Sequence, residues 1–153
     1  MKKLIATGVI FITLVSLIVG CTDEVYSYYN FSDDLQDTGA AIQIGNVSKG
    51  SAFPLQARNN IVVNDEVVQV FEFESEALAD GGAALIFPDG QGMSVVNEAG
   101  ETTGGNSWTL FGEPHFYKKG RLIVQYVDVG NDSDSSTRSL LEGILGSQFA
   151  GSQ

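Results

Sequence analysis

The chain has 153 residues, 19 of them acidic and 8 basic, for a net charge of −11 at pH 7, with one histidine and one cysteine. A lone cysteine excludes an internal disulfide and a zinc site built on cysteines, and the acidic balance excludes nucleic acid as a partner. The length suits a leader and one domain that must stand on an ordinary apolar core.

Met1 is followed by Lys2 and Lys3, and residues 4–19 are uncharged and apolar but for Thr7, Gly8, Thr13 and Ser16. A positive start, an apolar run and a small residue ahead of a cut make a secretory signal. The run is marginal for a membrane span, which takes about 20 apolar residues. Asp23 and Glu24 follow it in place of a basic stop-transfer cluster. Ile18, Val19, Gly20 and Cys21 resemble the lipobox of bacterial lipoproteins. The resemblance implies that residues 1–20 are removed as a signal peptide, that the Cys21 thiol and new amino group are acylated, and that membrane lipid is a partner through Cys21. Two or more acyl chains hold a protein firmly where one holds it marginally. The expected location is the extracytoplasmic face of the cell membrane or outer membrane; Thr22 after the cysteine, rather than aspartate, resembles the pattern for export beyond the inner membrane. Lys2 and Lys3 leave with the leader, so the mature chain has 6 basic against 19 acidic residues, a net of −13. That predicts a solvated acidic surface.

Residues 21–39 are polar and acidic with Tyr26, Tyr28, Tyr29 and Phe31 interleaved, and the charge at positions 23, 24, 33, 34 and 37 predicts a tether. Residues 40–47 alternate around Ile42 and Ile44 as a short strand does. Residues 61–63 and 66–73 predict two strands around Asn64 and Asp65, which tolerate the positive φ of a tight hairpin. On the second strand Val67, Gln69, Phe71 and Phe73 share one face, and Val68, Val70 and Glu72 the other. Ser75 suits a helix N-cap and Glu76 its first turn. Residues 76–86 then place Leu78, Gly82, Leu85 and Ile86 on one face, the glycines serving close packing on a sheet. Pro88, Asp89 and Gly90 mark a turn. A short strand is predicted over 93–96, a mobile loop over 97–106, and strand over 107–111 and 116–117. After a turn at Lys118, Lys119 and Gly120, residues 121–127 are the clearest strand. An acidic loop spans 128–135. Residues 137–145 predict a helix with Leu140, Leu141, Ile144 and Leu145 toward the sheet, ended by Gly146. The fold class is α+β: a mostly antiparallel sheet with two helices packed on one face, in the order β-β-α-β-β-β-α. The domain covers 40–150, with a stable unit of about 60–150.

From Glu66 onward the chain also resembles a group of small bacterial lipoproteins with no assigned activity. The residues that carry it are Val70 to Phe73 in sequence, Pro88, Asp89 and Gly90, the run Pro114, His115, Phe116 and Tyr117, the run Gly120, Arg121, Leu122, Ile123 and Val124 with Tyr126 and Val127, Leu140, Leu141 and Glu142 with Leu145 and Gly146, and Gln148, Phe149, Ala150 and Gly151. Where the group has a short Gly-Asp-Asp turn after the long strand, this chain has a longer one running from Val129 to Asp134. The resemblance implies a domain of this kind and no mechanism.

Three clusters carry chemistry. His115, with Glu113 near it, has the makings of a general base, but no Gly-x-Ser-x-Gly nucleophile motif accompanies it. Asp128, Asp132 and Asp134 alternate as calcium ligands do, yet the EF-hand pattern fails at its sixth and twelfth positions, Thr137 and Gly143. A capping loop is the expectation there, with neither metal nor cofactor. Trp108, Glu113, His115, Phe116 and Tyr117 gather the only tryptophan, the only histidine and a proline beside a glycine-rich loop, and are the predicted binding surface. The expected function is a non-catalytic, lipid-anchored binding or interaction module for an envelope protein or small ligand. An envelope-maintenance protein and a hydrolase using His115 are the alternatives.

Overall fold

The computed structural model describes residues 25–45, 48–49, 57–130 and 136–152. The leader, Cys21, Asp132 and Asp134 lie outside these residues. In chain order the elements are α1 (Tyr28–Asp37), β1 (Ile42–Ile44), β2 (Ser48–Lys49), β3 (Ala57–Val63), β4 (Glu66–Glu72), α2 (Glu76–Leu85), β5 (Gly92–Val96), β6 (Thr102–Ser107), β7 (Glu113–Lys119), β8 (Leu122–Asp128), α3 (Ser136–Leu145) and β9 (Ala150–Gly151). The fold is α+β, with an antiparallel seven-stranded sheet in the order β1-β3-β4-β8-β7-β9 and β2 also paired to β3. Among the described residues no helix is long and apolar enough to cross a membrane.

Two tight hairpins set the register of the sheet. Asn64 and Asp65 turn with φ of 49° and 68°, as expected of a two-residue hairpin loop, and they fix Val63 opposite Glu66. Gly120, at φ 54°, turns the chain with Arg121 and fixes Lys119 opposite Leu122.

Strand alternation then splits the core across two faces. Ile61, Val63, Val68, Val70, Tyr117, Leu122, Val124 and Tyr126 point one way, under Phe31 and Leu35 of α1 and Leu141 and Leu145 of α3. Phe71, Phe73, Phe116 and Ile123 point the other way, toward Ala79 of α2 and Ile86, with Met93 and Trp108 at the margin. Helices thus cover both faces, which corrects the expectation of two helices on one. The buried side of α2 carries Ala79 and Gly82, while Leu78 is half exposed. Gly82 permits the approach: a Cβ there would stand 2.8 Å from the Phe73 ring.

The predicted tether is a third helix. Residues 28–37 form α1, whose Phe31 and Leu35 are completely buried. Phe31 and Leu35 are four apart, so they share one face of the helix, and Asp33 and Asp37 stay in solvent. Asn30 Oδ1 accepts from the Ser27 amide at 2.8 Å and the Ser27 hydroxyl at 2.6 Å, closing the helix start. The folded unit therefore begins ahead of residue 28, not at 40 or 60.

The second half of the predicted mobile loop over 97–106 is strand. β6 pairs with β5 in a separate two-stranded sheet. Its tip is closed by Asn97, whose Oδ1 accepts from the amides of Ala99 and Glu101. Glycines in this hairpin make room for an aromatic ring: Gly92 and Gly105 both face Phe87, where a Cβ would come within 3.0 Å of it. Residues 108–112, expected to be strand in part, carry none.

Candidate functional site

The five residues predicted as one surface are divided between the two faces of the sheet. On β7, His115 stands opposite Tyr126 and Tyr117 opposite Val124, while Phe116 stands opposite Gln125. His115, Phe116 and Tyr117 are 0%, 1% and 0% exposed. Trp108 is half-buried, donates its indole N–H to the Gly90 carbonyl at 2.9 Å, and lies 6.5 Å from the Phe116 ring. Only Glu113 is exposed. Strand period is the reason: neighbours in a β run point to opposite faces, so the run Pro114 to Tyr117 cannot form one patch.

His115 has a structural part. Its ring stacks on Tyr126 at 5.9 Å between centroids. Nδ1 meets Gln148 Oε1 at 2.6 Å, and Gln148 Nε2 donates to the Ser152 carbonyl at 2.6 Å. With the amide N–H₂ directed at Ser152, its oxygen faces the ring, so Nδ1 carries the proton. The partner that orients this histidine is an amide rather than Glu113, and β9 closes over the strand with Gly151 opposite His115. The residue ties the C-terminal segment to the sheet.

Asp128 is 7% exposed, and its Oδ1 accepts from the Gly130 amide at 2.8 Å. That closes a local turn. Among the described residues no group of three or more His, Cys, Asp or Glu side chains is placed to hold a metal ion.

Among the described residues, two surface depressions stand out. One, about 380 Å³, is lined by Asp34, Asp37, Thr38, Lys119, Gly143 and Ile144. Its cation is already engaged: Lys119 Nζ donates to the Ile144 carbonyl at 2.7 Å and lies 4.1 Å from the centre of the Tyr26 ring. The other, about 320 Å³, is lined by Asp65, Glu66, Val67, Gln69, Gln125, Val127 and Val129. It lies on the face of β4 and β8 that also carries Phe71, Phe73 and Ile123, beyond the part that α2 covers. Gln69 and Gln125 stand directly opposite each other. Val67 is 52% exposed and Val129 72%, and Phe111, at 89%, stands next to Gly112, which packs against Asp128. An apolar strip with two amides and an acidic rim suits recognition better than the charged depression does.

Neither a family model, nor a curated protein, nor a solved structure matches this chain. The site is therefore read from its own chemistry. Sequence reasoning put Val67 and Gln69 on one strand face, but placed the binding surface elsewhere. The available signal is a glutamine in the middle of each of two mostly apolar strands, Gln69 and Gln125.

Proposed function

We propose that the protein is an extracytoplasmic lipoprotein, anchored through an acylated Cys21, whose domain is a non-catalytic binding module. The anchor reading is supported by Lys2, Lys3, the apolar run and the lipobox-like residues 18–21. The binding reading is carried by the open sheet face around Val67, Gln69, Gln125, Val127 and Val129. This surface fits an extended segment of an envelope protein. The valines receive its apolar side chains, and Asp65 and Glu66 favour a basic residue in it. Catalysis by His115 gains no support from a ring that is fully buried and bound to Gln148.

Photo-crosslinking in the native host tests the surface. A benzoylphenylalanine at Val67 or Val129 should yield a discrete crosslinked species. The same group at Ala77 or Glu98, both exposed elsewhere on the domain, should not. No species at positions 67 and 129, or the same species from all four positions, would contradict the assignment.

A further inference from the structure

A residue that the domain holds firmly, Tyr26, lies very near the proposed anchor. Tyr26 is held at one end of the sheet: its carbonyl accepts from the Arg121 amide at 3.0 Å, and its hydroxyl donates to Asp34 Oδ2 at 2.5 Å. Contact with the turn is backbone on backbone, since a Cβ on Gly120 would stand 2.5 Å from the Tyr26 carbonyl oxygen. Arg121 also reaches Glu72 Oε1 at 2.6 Å, and the Tyr28 amide donates to that same oxygen at 3.3 Å. Four residues lie between Cys21 and Tyr26, so five residue-to-residue steps span at most about 18 Å. A lipid on Cys21 would therefore keep this end of the sheet within about 18 Å of the bilayer surface.

The two ends of the domain differ in chemistry. At the anchored end Tyr29 is 78% exposed and Val25 42%. The basic residues there are paired with acids: Lys118 with Glu76 and Asp80, Lys119 with Asp34, and Arg121 with Glu72. The other end of β8 lies about 20 Å away, at ~3.3 Å per residue, and carries Asp65, Glu66, Glu113 and Asp128. Tyrosine settles at the membrane–water interface.

We propose that the domain rests on the phospholipid headgroups of its own membrane through Val25, Tyr29 and the turn of Gly120 and Arg121. The open cleft then faces away from the bilayer, about a domain's length out. This seating rests on the acylated Cys21 of the proposed function.

Spin labelling of the full-length lipoprotein tests it. With Cys21 acylated, an introduced cysteine is the sole free thiol. Labels are placed by Tyr29→Cys, by Val25→Cys as a second proximal position, and by Val129→Cys at the far end. The protein is reconstituted into vesicles of phosphatidylcholine and phosphatidylglycerol, with the Cys21→Ser domain in solution as reference. Collision with a water-soluble nickel chelate should fall several-fold at positions 29 and 25 on vesicles and stay at the reference level at 129. Equal exposure at all three positions in protein that floats with the vesicles overturns the seating and leaves the anchor standing. Failure to float, with an unmodified Cys21 by mass, overturns the anchor and the seating together.

Discussion

Phe31→Ala lowers the stability of the domain by about 3–5 kcal/mol, the cost of deleting a large aromatic side chain from a packed site. Phe31 is completely buried and packs with Leu35 against the β3, β4 and β8 side chains of the sheet. Nothing in a tether would give that cost, because a residue already in water loses nothing on truncation. Leu35→Ala should cost about 2–5 kcal/mol on the same grounds. A domain of this size is stable by about 5–15 kcal/mol in total, so the pair should leave it marginal or unfolded. A chain that starts at residue 40 should fail to fold, since it bares the sheet face that α1 covers. Urea denaturation of the soluble form, started at residue 22, measures both single substitutions. Midpoints unchanged by Phe31→Ala and Leu35→Ala would show that residues 28–37 are not part of the folded unit.

The same helix shows where the sequence misleads. Only Phe31 and Leu35 of its ten residues are large buried hydrophobics. Their spacing of four is helical, but Asp33, Asp34 and Asp37 stand among them, and net charge outweighed a two-residue stripe. Strong periodicity matches the structure elsewhere. β4 and β8 alternate as expected, with Leu122, Val124 and Tyr126 on one face and Ile123 on the other. The hairpin at Asn64 and Asp65 and the helix over Leu141 and Leu145 also stand where expected. β6 leaves no periodic signal because its residues, Thr102–Ser107, are all exposed. They are strand through pairing with β5 and the seat that glycines make for Phe87, neither of which is a local propensity. Aromatic content points to a surface around His115, but alternate residues of one strand face opposite ways. The open face depends on how far α2 reaches across the sheet, a tertiary fact that the sequence does not display.

Alkaline unfolding is the second large effect. Burial pushes the Tyr117 phenol up to about 12, helped by the Glu142 charge and opposed by Arg138. Tyr26 is pushed further up, by burial first and then by its hydrogen bond to the Asp34 carboxylate and that group's charge. Burial and Glu72 also raise Tyr28. An unfolded tyrosine ionises near pH 10. Below that pH both states keep the proton and stability is at its full value. Above it the unfolded chain releases protons that the folded protein retains, so stability falls as pH rises. Each such tyrosine gives a slope of about 1.4 kcal/mol per pH unit. Fully buried Tyr117 alone costs about 2 kcal/mol between pH 10 and 12. Urea midpoints should be level to about pH 9.5 and then drop steeply, and Tyr117→Phe should make the drop shallower. A wild-type midpoint still level at about pH 11.5, or a slope unchanged in Tyr117→Phe, would show that these phenols ionise in the folded protein.

Membrane attachment, the seating of the domain and the outward direction of the cleft all depend on the chemistry of Cys21. Intact mass of the protein extracted from the membranes of its host decides that chemistry. The expected species begins at Cys21, lacks residues 1–20 and carries the added mass of a diacylglycerol group with or without a further acyl chain; Cys21→Ser should abolish the addition. A chain that retains Met1, or a mature chain with a free Cys21 thiol, would contradict the lipoprotein reading and leave the domain without the anchor proposed for it.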